Sequence, residues 1–259
     1  MKPFLKWVGG KTQLIDQVLS KFPGECVSYH EPFVGGGAVL LGMLANGCIV
    51  KNRIYASDLN KSLIDLYKLV QSDPERLITG VKSHISSGFT KDDYYKMRSE
   101  FREDHDPIKF LILNKTCFRG LYREGPNGFN VPWGHYKTLS IMDESNIREV
   151  SKLIQNVEFI CQGFEESMSK VSRGDFVYMD PPYAGTFTDY NKDGFTIEHH
   201  ESLFRLAKNL PCPFVMSNSD DAVVLEAFKN YSIQTLVARR AINSKNPGKT
   251  ALEVLITQN

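Results

Sequence analysis

Four consecutive residues, Asp180, Pro181, Pro182 and Tyr183, carry groups that can bind and activate an amine. The prolines lack a backbone N–H and fix φ, so they hold the carbonyl oxygens of Asp180 and Pro181 in a stiff turn. The Asp180 carboxylate and the Pro181 carbonyl can each accept a hydrogen bond from an exocyclic amine, which localises its lone pair for attack. Tyr183 offers a ring on which a planar base or amide can stack. The alternative is a structural proline turn that ends in a packed tyrosine.

Residues 31–37, with the sequence EPFVGGG, predict a nucleotide site. Three consecutive glycines permit a tight strand-to-helix turn and a close approach of a ligand to the backbone. Asp58 ends the next predicted strand, where it can bind both hydroxyls of a ribose. The dinucleotide fingerprint G-x-G-x-x-G is absent, because it would need a glycine in place of Leu40. A purely structural glycine turn is the alternative.

At the start of the first predicted helix, Trp7 and Lys11 flank two glycines. Helix N-termini attract carboxylates, and Lys11 adds positive charge for one. The segment therefore favours binding of a carboxylate ligand. An ordinary glycine turn with a solvated lysine and a core tryptophan is the alternative.

Basic and aromatic side chains interleave in the middle of the chain, and no acid occurs from Lys109 to Arg123. The residues concerned are Lys115, Phe118, Arg119, Tyr122, Arg123 and Phe129. Arginine can read guanine bidentately and aromatic rings can wedge between base steps, so the cluster indicates DNA contact. A second basic cluster, on the predicted loop between the last two strands, comprises Arg239, Arg240, Lys245 and Lys249. Solvated surfaces are the alternative for both clusters.

The elements that position these groups alternate between strands and helices. Strands are predicted at 26–30, 53–56, 157–161, 176–179, 214–216, 232–237 and 252–256. Helices are predicted at 11–22, 38–44, 63–70, 75–84, 92–102, 108–114, 147–154, 198–209 and 222–229, and residues 125–128 form the turn of a β-hairpin. This order predicts an α/β catalytic and cofactor-binding domain over 1–60 and 145–259, with a mainly helical insertion over 61–144.

The composition is that of a globular protein with reduced cysteines. The 259 residues include 31 Lys plus Arg and 30 Asp plus Glu, for a net charge of +1. The five cysteines form no C-x-x-C pair, and no zinc or serine hydrolase motif occurs. The longest apolar stretch, 38–50, is too short to span a bilayer. We therefore expect a cytoplasmic protein without a membrane segment or a metal.

Together these motifs resemble the Dam-type group of adenine-specific DNA methyltransferases, and the resemblance covers nearly the whole chain. Residues 6–11 (KWVGGK) are similar to the family's N-terminal cofactor motif, and 33–37 to its glycine motif. Asp58 matches the ribose-binding acid, and 180–183 the catalytic D-P-P-Y. Residues 120–123 and 129–134 look like the family's DNA-reading hairpin. The resemblance implies a Rossmann-like class I methyltransferase fold with a mainly parallel sheet and an insertion domain that carries the hairpin.

The resemblance also implies roles for individual residues. Catalysis is assigned to Asp180, Pro181 and Tyr183, and S-adenosylmethionine binding to Trp7, Lys11, Phe33, Gly35, Asp58, Phe164 and Asp180. DNA binding is assigned to Lys6, Phe118, Arg119, Arg123, Asn130, Pro132, Tyr136 and Arg239. Two positions depart from the family pattern, because Arg119 stands where relatives often carry asparagine and His135 where they often carry arginine.

These assignments predict transfer of a methyl group from S-adenosylmethionine to N6 of an adenine flipped out of double-stranded DNA. We expect a monomer that acts in a bacterial or virus-infected cell on a short specific site, GATC or a related sequence. Three alternatives remain. A cytosine amino methyltransferase tends to carry serine in place of Asp180, and a protein-glutamine methyltransferase tends to carry N-P-P-Y. The third is a non-catalytic DNA-binding regulator with a decayed site, which the intact Asp58 and Tyr183 disfavour.

Overall fold

A computed structural model describes residues 1–86, 88–136, 138–183, 194–239 and 250–258, without the side chains of 238, 239, 250 and 251. The strands in these ranges are β1 (Glu25–Cys26), β2 (Tyr29–Glu31), β3 (Ile49–Val50), β4 (Ile54–Asp58), β5 (Glu124–Gly125), β6 (Gly128–Phe129), β7 (Val157–Cys161), β8 (Phe176–Met179), β9 (Phe214–Ser219), β10 (Ser232–Arg239) and β11 (Thr250–Thr257). The helices are α1 (Ile15–Leu19), α2 (Ala38–Ala45), α3 (Lys61–Ser72), α4 (Pro74–Ile85), α5 (Lys91–Asp104), α6 (Pro107–Thr116), α7 (Glu144–Leu153), α8 (Phe164–Met168), α9 (Ile197–Lys208) and α10 (Ala222–Ala227).

Seven strands form the central sheet, in the order β10-β11-β9-β8-β2-β4-β7. Strands β9, β8, β2, β4 and β7 are parallel, whereas β11 runs antiparallel to both β9 and β10. The chain runs outward from β2 through β4 to β7 and then returns to place β8 on the other side of β2. In such sheets, ligands bind where the strand order reverses, outside the carboxyl ends of the strands. The predicted Rossmann-like, mainly parallel sheet is confirmed.

Both faces of the sheet are buried, as the alternation along β8 shows. Phe176 and Tyr178 belong to one hydrophobic cluster, and Val177 and Met179 belong to another. Successive side chains of a strand point to opposite faces, so a strand covered on both sides is apolar throughout. This explains why a continuous run of four buried residues leads directly to Asp180.

The hairpin formed by β5 and β6 is held by α5, and this confirms the predicted helical segment with a hairpin. Tyr94 donates a hydrogen bond to the Val131 carbonyl at 2.7 Å, and Arg102 Nε donates one to the Phe129 carbonyl at 2.9 Å. One cluster of buried side chains runs from the sheet into α4, α5 and α6. The division into a catalytic part and an insertion over 61–144 stays a prediction.

The first predicted strand is wrong as a single element, because the structure divides 26–30 into β1 and β2. Between them, Val27 N donates to the Gly174 carbonyl at 2.8 Å, and Ser28 N donates to Asp175 Oδ1 at 3.0 Å. These long-range bonds draw the backbone out of the ladder, and β1 pairs with β3 instead of joining the main sheet.

Other boundaries also differ from the predictions. The helix predicted over 11–22 begins with the 3-10 turn Lys11–Gln13 and is α-helical only in α1, and α8 was not predicted. Arg239, predicted on a loop, ends β10, because β10 and β11 pair along eight residues each. Within the described ranges, no helix combines the length and apolar character needed to cross a membrane.

We predict that Gly37→Ala destabilises the fold. Gly37 has φ +68°, and an added Cβ would lie 2.5 Å from the Tyr67 hydroxyl, which donates to the Gly35 carbonyl at 3.0 Å. The left-handed conformation alone costs a non-glycine residue roughly 1–2 kcal/mol. Thermal unfolding should therefore show a lower midpoint for this variant. Gly24→Ala, whose Cβ would meet nothing within 4 Å, is the control, and equal midpoints for both variants would contradict the prediction.

Candidate active site

The predicted catalytic and cofactor groups converge at the carboxyl ends of neighbouring strands. Asp180 follows β8, the glycine turn follows β2, and Asp58 ends β4. Because β8, β2 and β4 are adjacent and parallel, groups at their ends lie along one edge of the sheet. The sheet order thus brings together residues that are far apart in the sequence.

Lys11 and Asp180 form a short ion pair at this edge. Lys11 Nζ lies 2.7 Å from Asp180 Oδ2, and the lysine side chain is only 4% exposed. The ammonium also donates to the Gly9 carbonyl at 2.8 Å and lies 3.9 Å from Glu253 Oε2. A buried ammonium needs such partners, since an uncompensated charge away from water is costly.

The environment of Asp180 exerts opposing effects on its proton affinity. Burial raises the pKa of Asp180, and the charge of Glu253 raises it further. The Lys11 ammonium opposes this and lowers the pKa. Although the net direction is upward, Lys11 favours the carboxylate form, which accepts hydrogen bonds and donates none.

Tyr183 belongs to the same cluster. Its hydroxyl donates to Glu253 Oε2 at 2.7 Å, and Lys11 Nζ lies 4.9 Å from the centre of its ring. Burial and the nearby carboxylates raise the pKa of Tyr183 well above its ordinary value. The hydroxyl therefore stays protonated and remains a donor.

The glycine turn after β2 is packed against Trp7 and linked to Asp58. Gly35 has φ +47°, and a Cβ there would lie 2.9 Å from the Trp7 ring. Its N–H donates to Asp58 Oδ2 at 3.1 Å, while Asn60 N donates to Asp58 Oδ1 at 3.0 Å. These bonds fix the orientation of a carboxylate that stays partly exposed.

Aromatic rings border both sides of this turn. Phe33 stacks on Phe164 with their centres 5.6 Å apart, and Trp7 stacks on Tyr122 at 6.0 Å. Phe164 is buried, whereas Phe33 is partly exposed. Tyr122 lies two residues before β5, so Trp7 connects the glycine turn to the start of the hairpin.

Several predicted DNA-binding residues cluster around the start of the hairpin. Lys6 Nζ lies 3.9 Å from the centre of the Tyr136 ring and donates to the Lys115 carbonyl at 2.9 Å. Phe118 is 41% exposed, and its backbone N–H donates to the Pro132 carbonyl at 2.8 Å. An exposed ring beside a fixed backbone is suited to contact with a partner.

Two arginines of the hairpin region have defined orientations. Arg119 has φ +58°, and its guanidinium carbon lies 5.2 Å from the centre of the Phe118 ring. Arg123 Nε donates to Asn130 Oδ1 at 2.6 Å, and its Nη2 donates to the Asn130 carbonyl at 3.4 Å. Asn130 therefore fixes the plane of the Arg123 guanidinium. The Arg239 side chain and Arg240, Lys245 and Lys249 lie outside the described residues.

Two acids at the site were not predicted. Glu253 lies in β11, and Glu31 ends β2, 2% exposed, where it accepts a hydrogen bond from the Tyr29 hydroxyl at 2.6 Å. Burial raises the pKa of Glu31 to about 8. For Glu253 the available signal was an acid inside an apolar run of β11, since a charge rarely occupies such a position without a partner.

Comparison with known proteins gives a consistent result. Residues 7–242 match the family model for D12 class N6 adenine-specific DNA methyltransferases. The chain is 38% identical to the type II methyltransferase M.MjaIII of Methanocaldococcus jannaschii, across 95% of this chain and 94% of that protein. It is 32% identical to the retron Ec67 DNA adenine methylase of Escherichia coli (98% and 90% covered). It is 31% identical to the DNA adenine methylase of Escherichia coli K12 (98% and 94% covered).

We predict that Glu31 makes the stability of the chain depend on pH. The folded chain retains the Glu31 proton up to about pH 8, whereas the unfolded chain loses it near the ordinary pKa of 4.5. Glu31 therefore lowers stability as pH rises through this window, by at most about 1.4 kcal/mol per pH unit. Because glutamine does not titrate, Glu31→Gln should gain stability relative to the wild type as pH rises.

Urea denaturation at several pH values between about 5 and 8 measures this difference. Glu201→Gln, at an exposed acid of α9, is the matched control and should keep the wild-type pH dependence. The prediction is wrong if Glu31→Gln follows the same pH dependence as that control.

Proposed function

Because the chain belongs to the D12 class of N6 adenine-specific DNA methyltransferases, we propose that its crevice at the ends of β2 and β8 binds S-adenosylmethionine and a flipped adenine. The chain is an adenine-specific DNA methyltransferase, which removes the cytosine and protein-glutamine alternatives and the non-catalytic regulator. The proposed substrate is a short specific sequence of double-stranded DNA, GATC or a related site. We propose that the enzyme acts as a monomer.

The Lys11–Asp180 ion pair is the observation that carries the proposal. With the ammonium 2.7 Å from Oδ2, Lys11 favours the carboxylate form of Asp180 and opposes the effect of burial. A carboxylate beside a rigid proline carbonyl gives two acceptors for the two hydrogens of an adenine amine. Both acceptors favour the pyramidal amine of the transition state over the planar amine of the free base, which is the condition for catalysis.

Tyr183 supplies the surface for the flipped base. It lies three residues after Asp180, so a base stacked on its ring would place its amino group near the two acceptors. Its hydroxyl, fixed on Glu253 at 2.7 Å, limits the movement of the ring. Stacking replaces part of the base stacking that the adenine loses when it leaves the duplex.

The residues around the glycine turn fit S-adenosylmethionine. Asp58, held by two backbone N–H groups and partly exposed, is suited to a ribose diol. Phe33 and Phe164 offer apolar ring surface for an adenine, and the turn at Gly35 lets a ligand approach the backbone. Trp7 borders the same turn through its contact with Gly35, and Lys11 lies at the end of the neighbouring strand β8 through its ion pair with Asp180. When bound, S-adenosylmethionine supplies a methyl group that its sulfonium makes electrophilic.

We assign recognition of DNA to the hairpin and the residues beside it. The exposed Phe118 ring is suited to insertion into the base stack, and Arg123, with its plane fixed by Asn130, to reading a base edge. Lys6, Arg119, Pro132 and Tyr136 adjoin this surface. Arg119 stands where relatives often carry asparagine, so we expect at least one contact to the recognised site to differ from the family's GATC pattern.

We predict that Asp180→Ala lowers methylation of an adenine-containing duplex by at least about a hundredfold, because it removes an acceptor that acts in the transition state. The change also leaves Lys11 without its nearest carboxylate, so circular dichroism should accompany the assay. Asp180→Asn keeps the shape of the side chain and should lose activity as well. Asp16→Ala, at an exposed acid of α1, is the control and should retain it. Near-wild-type methylation by Asp180→Asn would falsify the assignment.

We predict that Arg123→Ala weakens discrimination at one base pair of the recognised site by about 1–3 kcal/mol. Cofactor affinity should not change, since the guanidinium is held by Asn130 in the hairpin region. Methylation rates on duplexes with single base-pair changes measure the discrimination, and calorimetry measures cofactor binding. Arg53→Ala, at an exposed arginine just before β4 and away from the hairpin, is the matched control. A variant that loses cofactor affinity but keeps its sequence preference would show that the hairpin is wrongly assigned.

A further inference from the structure

Glu253 is an acid in an otherwise apolar strand. Its neighbours are Leu252, which is exposed, and Val254, which is fully buried. The Glu253 side chain is only 17% exposed, so most of it is removed from water. Removing a carboxylate from water is costly, and the contacts that it makes must offset that cost.

Those contacts lead to two residues of the tetrapeptide, Tyr183 directly and Asp180 through Lys11. Glu253 Oε2 accepts a hydrogen bond from the Tyr183 hydroxyl at 2.7 Å and lies 3.9 Å from Lys11 Nζ. The same ammonium lies 2.7 Å from Asp180. Glu253 therefore joins the base-stacking tyrosine to the cation that neutralises Asp180, although it lies 70 residues from Tyr183 in the sequence.

The Tyr183 contact restricts the position of the ring. A tyrosine side chain rotates about two torsions, and its hydroxyl lies at the end farthest from the backbone. Pro182 holds the backbone on one side, while the hydrogen bond to Glu253 holds the distal oxygen. With both ends fixed, the plane of the ring is fixed as well.

We propose that Glu253 is a positioning residue for the target base, which acts by holding the Tyr183 hydroxyl so that the ring presents a fixed stacking plane beside Asp180. This inference rests on the proposed function, in which adenine stacks on Tyr183. Glu253 itself does not contact the reacting atoms. It lowers the barrier by keeping the amine aligned, and misalignments of about 1 Å can cost a hundredfold in rate.

Four variants test the inference: Glu253→Ala, Glu253→Gln, Tyr183→Phe and the double variant Glu253→Ala/Tyr183→Phe. Glu253→Ala should lower kcat by about tenfold to a hundredfold, with little change in the KM for S-adenosylmethionine. Glu253→Gln keeps an oxygen acceptor for the hydroxyl and should restore most of that loss. Tyr183→Phe keeps the ring but not the hydroxyl, so it should resemble Glu253→Ala. The double variant should be no worse than the more impaired single variant, because both changes break the same contact.

Fluorescence of a duplex with 2-aminopurine at the target position reports the stacking directly. Stacking quenches this base, so the flipped base should be brighter in complexes of Glu253→Ala and Tyr183→Phe than in the wild type. Glu226→Ala, at an exposed acid of α10, is the control for both assays and should match the wild type. A structural role of Glu253 would lower stability without a change in fluorescence per bound complex.

Three results would overturn the inference. The first is a Glu253→Ala variant with the kcat and the fluorescence of the wild type. The second is a double variant whose loss of kcat is the product of the two single losses. The third is a Glu253→Gln variant whose kcat is as low as that of Glu253→Ala. If Glu253→Ala fails to fold, Glu253→Gln and Tyr183→Phe decide the question. Asp180→Asn in the same assays separates the two proposals. Its full activity would contradict the proposed function, whereas its inactivity beside an active Glu253→Ala would contradict only the role of Glu253.

Discussion

The ion pair between Lys11 and Asp180 constrains the rest of the site. Lys11 is 4% exposed, and a buried ammonium without a carboxylate would cost several kcal/mol. The pair therefore fixes the N-terminal segment against the end of β8, on the strand next to the glycine turn. Trp7, in the same segment, packs on Gly35, and a Cβ at Gly35 would leave no room for the Trp7 ring. The N-terminal segment that the ion pair holds in place thus packs against Asp180 after β8 and against the glycine turn after β2.

The same segment reaches the hairpin. Lys6 N donates to Asn114 Oδ1 at 3.0 Å, and Asn114 Nδ2 donates back to the Lys6 carbonyl at 2.7 Å, so the backbone at Lys6 is tied to α6. Trp7 stacks on Tyr122 just before the hairpin. Residues 6–11 therefore contact Asp180 at one end and the hairpin region at the other. This short stretch therefore links the ends of the central strands to the hairpin region by direct contacts.

The sequence predicts best those features that depend on neighbouring residues. The strands β7 and β8 have the predicted bounds, because each is a short run of strand-forming residues between breaks in the pattern. The tetrapeptide at 180–183 and the glycine turn at 35–37 were likewise identified from neighbouring residues alone. What could not be predicted depends on contacts between distant residues. The bonds of Val27 and Ser28 to Gly174 and Asp175 split the first strand, and Glu253 meets Tyr183 only because β11 inserts beside β9.

Charge was the property that the sequence described least well. The acid-free stretch from Lys109 to Arg123 suggested a continuous basic surface, but Lys109 is 12% exposed and pairs with Glu100 and Asp104 of α5. Lys115 is partly buried, and burial and nearby lysines lower its pKa to about 8. Arg119 is exposed in this region, and Lys6 of the N-terminal segment adds a partly exposed charge. Each neutralised phosphate contributes to the salt dependence of DNA binding. Within the described residues, the Lys109 to Arg123 stretch therefore offers few phosphate contacts and is better suited to base contacts.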